Sequence, residues 1–216
     1  TSLHSPKLLL NGIPLDEICR NERLRDHCGP ELTVRVECIM LSALLVMASE
    51  DGTATLWNAD RAEVLRTFVG PGGPVFSAVF SPDGGHVLMA CADGTAKLWS
   101  ADTAEVVSTF QWHAGPVFSA VFASDSSHVL TASGDGTAKL WSAEKAQIVR
   151  TFHGHAGSVF SAVFAPSDGR ILTASRDGTA KLWSDKKAEP IRTFRGDGRP
   201  DPVWSAVFVP DRRCVL

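Results

Sequence analysis

The sequence predicts an all-β fold in which one small antiparallel sheet recurs every 42 residues. Two recurring elements and a turn signal predict it. "DGTAKLWS" stands at 93–100, 135–142 and 177–184, with a near copy, "DGTATLWN", at 51–58. A second element keeps step: "PVFSAVF" at 74–80 and 116–122, "SVFSAVF" at 158–164, and "PVWSAVF" at 202–208 after a step of 44. Each unit places Asp-Gly between two apolar runs, the strongest short hairpin signal. A fixed period marks a repeat architecture and decides the fold before any single residue does.

The elements follow in order. "VFSAVF" is short, β-branched and aromatic, hence a first strand. Ser81-Pro82-Asp83-Gly84 has the composition of a turn. "HVLMA" (86–90) or "HVLTAS" (128–133) is the second strand. Asp93-Gly94, Asp135-Gly136 and Asp177-Gly178 turn the chain into "TAKLWS", the third. "EVVSTF" (105–110) or "QIVRTF" (147–152) is the fourth. Four short antiparallel strands per unit describe one blade of a β-propeller. Complete blades are expected at 74–110, 116–152 and 158–194, with partial blades at 39–68 and 202–216, all within a repeat region spanning 39–216. The two extra residues of the last step fall in the polar stretch Arg195–Asp201, where an insertion costs little.

Composition narrows the function. Charged residues make up 21% and the net charge is −3, without a basic block to neutralise phosphates, so no nucleic-acid partner is expected. The longest apolar run, Ile39 to Ala48 broken by Ser42, is too short to span a bilayer, so no membrane partner is expected either. No secretory signal is visible, although Thr1 is not a native start. The five cysteines (Cys19, Cys28, Cys38, Cys91 and Cys214) are scattered and form no Cys-x-x-Cys. They read as reduced thiols of an intracellular protein, cytoplasmic or nuclear.

These residues resemble the WD40 repeat family over roughly 44–216: period, strand count, Asp-Gly turn and Trp position agree. In that family a His before the first strand, a Ser/Thr on the second, the turn Asp and the third-strand Trp form a hydrogen-bonded set. Two units carry all four, His113, Thr131, Asp135 and Trp141, then His155, Thr173, Asp177 and Trp183. Such a relay gives a buried carboxylate its donors and a buried indole its acceptor. The chain departs from the family where Trp-Asp becomes Trp99-Ser100, Trp141-Ser142, Trp183-Ser184 or Trp57-Asn58. Gly-His survives only as Gly154-His155; the other relay histidine sits in Trp112-His113. In the unit at 74–110 the His and Thr positions hold Pro71 and Met89, while Asp93 and Trp99 remain. That blade is expected to be the least well stitched.

The relay does not read as a catalytic dyad, because it recurs in duplicate with no nucleophile attached. His153-x-His155 does not read as a metal pair, because His155 belongs to the relay and no third ligand is suitably spaced. No catalytic residue, metal or cofactor is expected.

Residues 7–38 leave the repeat. "KLLLNGIPLDEICRNERLRDHCGPELTVRVEC" resembles the C-terminal half of a ubiquitin-like fold, giving an expected partial α+β segment over 1–38. The parallels are a strand at Lys7–Leu10, a turn at Asn11-Gly12, "PLDE…LRDH", and an alternating strand, Leu32–Glu37, after Gly29-Pro30-Glu31. The resemblance places Leu9 in that family's apolar partner patch and Ile13 at its linkage-lysine position, and no Gly-Gly tail follows. "LTVRVEC" (32–38) also lies 42 residues before "PVFSAVF" and fits a leading first strand. Both assignments stay open at this level.

The sequence reads as a segment of a longer chain. It begins midway through the ubiquitin-like pattern, and Cys214-Val215-Leu216 align with Arg170-Ile171-Leu172, halfway along a second strand. An arc of blades leaves apolar faces and edges uncovered, so self-association is expected of these 216 residues alone.

Equivalent positions form rings about a propeller axis. Phe76, Phe118, Phe160 and Trp204 recur on the first strands, and the residues before the turn Asp are Glu50, Ala92, Gly134 and Arg176. The family resemblance implies that both positions often face partners. Aromatics with Arg176 nearby make a peptide dock, since Trp, Tyr and Arg dominate interface hot spots. Packing of the same rings between blades is the open alternative. The expected function is a non-catalytic scaffold or adaptor that binds proteins or peptides. The alternative is a regulatory or substrate-recruiting propeller of a larger enzyme whose catalytic domain lies outside this segment.

Overall fold

Turn chemistry sets the strand boundaries. In each Asp-Gly turn the Asp carboxylate accepts from the backbone and hydroxyl of the Thr two residues on, as in Thr95 N to Asp93 Oδ1 at 3.0 Å. The Gly then turns with positive φ (87° at Gly94, 83° at Gly136), which a side chain would strain. A Cβ at Gly94 would also lie 3.0 Å from the His113 carbonyl. The computed structural model describes residues 9–10, 13–14, 44–166, 169–195 and 201–209, and all its regular elements there are strands.

The chain divides into two units, Thr1–Ser42 and Ala43–Leu216. In the first, β1 (Leu9–Leu10) and β2 (Ile13–Pro14) pair antiparallel, Leu9 opposite Pro14 and Leu10 opposite Ile13. The rest of the segment read as ubiquitin-like, and the strand at 32–38 with two readings, lie outside the described residues.

The second unit is four successive antiparallel sheets. Sheet 1 has three strands, β3 (Leu44–Ala48), β4 (Thr53–Asn58) and β5 (Glu63–Val69). Sheet 2 has four, β6 (Val75–Phe80), β7 (His86–Cys91), β8 (Ala96–Ser100) and β9 (Val106–Phe110). Sheet 3 repeats that order with β10 (Val117–Phe122), β11 (His128–Ser133), β12 (Ala138–Ser142) and β13 (Gln147–Phe152). Sheet 4 comprises β14 (Val159–Phe164), β15 (Arg170–Ser175), β16 (Thr179–Ser184) and β17 (Lys187–Arg195). Strands pair in sequence order within each sheet, as the hairpin signals require.

The core lies between sheets rather than within one. In sheets 2 to 4 the third-strand Trp presses on a Phe at or next to the end of the previous sheet's last strand: Trp99 on Phe68 at 5.9 Å, Trp141 on Phe110 at 5.6 Å, Trp183 on Phe152 at 5.5 Å between ring centroids. Those three Phe rings are buried, whereas their counterpart on β17, Phe194, is 45% exposed, with no described sheet following it. Apolar surface is removed from water only where two sheets meet, which is the stability logic of a repeat array. Arginines tie the outer edge: Arg66 Nε donates to the Asp102 carbonyl and Arg150 Nε to that of Asp185, each at 2.8 Å.

One expected strand is absent. The run 202–208, read as the first strand of a further blade, carries no strand. Its start is held by Val203 N donating to the Ser175 carbonyl at 2.9 Å. A strand exists by pairing, and the run expected to pair with it falls at 210–216, outside the described residues.

Candidate functional site

Two sets of repeated side chains stand out, one internal and one facing water. The internal set is the relay. In sheet 3, Trp141 Nε1 donates to Thr131 Oγ1 at 2.9 Å. Thr131 Oγ1 meets His113 Nε2 at 2.8 Å, and His113 Nδ1 meets Asp135 Oδ2 at 2.8 Å. Sheet 4 repeats it with Trp183, Thr173, His155 and Asp177 at 2.8, 2.7 and 2.8 Å. With a neutral imidazole every proton has one acceptor: Trp N–H to Thr, Thr O–H to His, His Nδ1–H to Asp. Burial favours that state and holds both histidines below their usual range, outweighing the neighbouring carboxylates. Burial alone would raise the Asp135 carboxyl, but hydrogen bonds from Thr137 and His113 overcome it and hold it at about 2. Asp177 is likewise held well below its usual range, by Thr179, the Ala156 amide and His155 against burial.

The relay ends in further donors that motif reading passed over. Thr137 Oγ1 and Thr179 Oγ1 donate to the second carboxylate oxygens at 2.7 and 2.6 Å. Amides of Ala114 and Ala156 reach the first at 3.1 and 2.9 Å. Their signal was the Thr of "DGT", spelled in every unit. Each copy has the Thr–His–Asp order of a hydroxyl with its base, but Thr131 and Thr173 are fully buried and their oxygens hold the Trp indole N–H, out of reach of any substrate. Among the described residues no cluster of His, Cys, Asp and Glu has metal-holding geometry.

Sheet 2 lacks the set. Met89 and Pro71 supply no acceptor, and Trp99 Nε1 is buried with no partner. Its carboxylate, Asp93, is exposed and bonded only to Thr95. Sheet 1 has Met47 in the same place but solves the problem locally, Trp57 Nε1 donating to Thr55 Oγ1 at 2.8 Å on its own strand. The later units hold lysine where Thr55 stands, so Trp99 has neither route. Beside it, burial and then Asp93 push the Cys91 thiol up to about 11, leaving it an inert packing group.

The external set is aromatic. Phe76, Phe118 and Phe160 each sit at a β-bulge, between paired residues Val75/Ser77, Val117/Ser119 and Val159/Ser161. A bulge gives one strand an unpaired residue and re-aims its side chain. The rings form a continuous row with Trp204: Phe76 to Phe118 at 5.1 Å, Phe118 to Phe160 at 5.5 Å, and Phe160 stacked on Trp204 at 4.3 Å. Phe76 is 44% and Trp204 68% exposed, and the two middle rings are half-buried.

Backbone bonds place the residues flanking the row. Ala92, Gly134 and Arg176 donate their amides to the carbonyls of Pro74, Pro116 and Ser158, two residues before each Phe. Ser49 and Ser175 accept from Val75 and Val203, which sets Glu50 beside the Phe76 end and Arg176 beside Phe160 and Trp204. A Cβ at Gly134 would lie 3.3 Å from the Phe118 ring, so small residues there keep the row open.

Successive sheets of short antiparallel strands, sealed Trp against Phe, define a propeller-type repeat protein. The family model for the WD domain, G-beta repeat (WD40), matches residues 62–100, 104–142 and 146–184, more than half of the chain, and the chain belongs to that family. Each matched repeat runs from the last strand of one sheet through the first three of the next. Comparison with curated proteins finds no match.

Proposed function

We propose that this chain is a non-catalytic interaction scaffold that grips a protein or peptide along the row Phe76–Phe118–Phe160–Trp204. WD40 repeats generally mediate protein–protein interaction, which supports the class. The observation that carries the site is the bulge: three sheets in succession turn an aromatic ring out of pairing into one solvent-facing line. A ring of this size left partly in water, beside Arg176, is the composition of an interface hot spot. The relay is read as structural, because both copies spend their polar atoms on each other. The described residues hold no helix long and apolar enough to cross a membrane. The test is quantitative affinity capture comparing wild type with Trp204→Ala and Arg176→Ala. Loss of the same partners from both variants is expected, and unchanged partner sets overturn the site.

Self-association belongs to the same proposal. Ile191, Phe194, Val207 and Val209 are 45–70% exposed and line one largely apolar hollow between sheet 4 and the segment after it, which Arg170 and Arg192 also line. Sedimentation of the 216-residue chain is expected to show concentration-dependent association. A monodisperse monomer that melts sharply counts against it.

A further inference from the structure

We infer that the aromatic row is charge-polarised and selects an extended apolar segment carrying a basic side chain at one end and an acidic one at the other. This rests on the docking site proposed above and adds the kind of partner it takes. The four positions before the turn Asp are occupied, in order along the row, by Glu50, Ala92, Gly134 and Arg176. Only the two end positions carry charge, and their signs are opposite. Both end residues are exposed, and among the described residues neither has an ion pair or a side-chain hydrogen bond. The two middle positions present a methyl group and a bare backbone. They leave room over Phe118 for a chain to lie along the rings.

The dimensions set the length of an extended occupant. Steps of 5.1, 5.5 and 4.3 Å between rings cover what about four or five residues of extended chain span at roughly 3.3 Å each. Proline, leucine or valine residues lying on the rings remove apolar surface from water. A lysine or arginine then meets Glu50 and an aspartate or glutamate meets Arg176. Rim charges of this kind contribute little affinity each but fix orientation and reject the reversed order.

The experiment uses two dye-labelled peptide series, each with four central residues drawn from Pro, Leu and Val. One series runs basic to acidic from its N-terminus and the other acidic to basic, with glutamine-ended versions as controls. Binding is read by fluorescence anisotropy at low and high salt against wild type, Trp204→Ala, and the charge-swapped Glu50→Arg/Arg176→Glu double variant. One charge order is expected to bind wild type about fivefold tighter than the other and than the neutral control. The double swap is expected to exchange that preference, and ~1 M salt to abolish it. Binding that is equal for all series yet falls in Trp204→Ala overturns the charge selection and leaves the docking row standing. Absence of binding by every series overturns both. All of these side chains are exposed, and matching melting curves show that the variants fold.

Discussion

Sheets 2 and 3 are built from nearly the same letters, and they differ in how their tryptophans are satisfied. In sheet 3 the Trp141 indole enters a chain of hydrogen bonds that ends at an ionised carboxylate. In sheet 2 the Trp99 side chain is buried too, at 7% exposure against 0% for Trp141, but its indole donates to nothing. Apolar burial therefore suffices to place a blade, since both sheets form with the same register. The polar relay adds cost or credit on top of that. A buried unsatisfied donor costs about 1–3 kcal/mol, so sheet 2 carries a penalty that sheet 3 avoids.

The comparison breaks most sharply at the threonine. Thr131→Val strands both the Trp141 N–H and the His113 nitrogen, and a loss of about 3 kcal/mol is expected. The matching change in sheet 2, Met89→Val, removes only buried volume and is expected to cost about 1 kcal/mol. Urea unfolding gives the totals, and hydrogen exchange localises them. Equal losses would show that the relay is ornamental. Next in size is the indole itself. Trp141→Phe breaks a bond that exists, while Trp99→Phe also removes an orphan, so Trp99→Phe is expected to be milder by about 1–2 kcal/mol. Rebuilding the relay comes third: in a cycle of Pro71→His and Met89→Thr, the pair is expected to exceed the sum of the singles by about 1 kcal/mol.

Acid gives the most gradual readout. The unfolded chain takes up protons near pH 6.5 that His113 and His155 refuse while buried, so stability falls as pH drops below that value until the folded histidines titrate. The carboxylates act lower. Asp135 contributes stability above about pH 3.8 that is lost as pH falls towards about 2, and Asp177 acts in the same direction. Sheet 2 has no relay histidine. Exchange protection on β6–β9 is therefore expected to fall less between pH 7 and 5 than on β10–β17, and the reverse ordering would contradict the neutral-histidine assignment.

Much of this was legible in the residues, and the exceptions have physical causes. Strand positions followed from Asp-Gly turns and β-branched runs, because turns depend on local backbone preference alone. Relay membership followed from spacing, since a period fixes which side chains share a face. The unpartnered Trp99 could be anticipated from Met89 and Pro71. The bulges at Phe76, Phe118 and Phe160 could not, because a bulge is a property of pairing and "VFSAVF" reads as an ordinary alternating strand. Exposure of the rings followed from the bulge, and the residues alone left it open against packing between blades. The Thr55 solution for Trp57 needed knowledge of which hydroxyl lay nearest. The run at 202–208 has the spelling of a strand, but spelling supplies no neighbour to pair with.

The offset between matched repeats and sheets has a consequence for how the molecule comes apart. A cut in the turns at 101–104 or 143–146, where one repeat gives way to the next, severs the covalent thread inside a sheet. The outer strand beyond the cut stays hydrogen-bonded to its inner neighbours, and its Phe stays wedged under the next tryptophan. A nicked chain should thus migrate as one particle until denatured, its two pieces clasped like links.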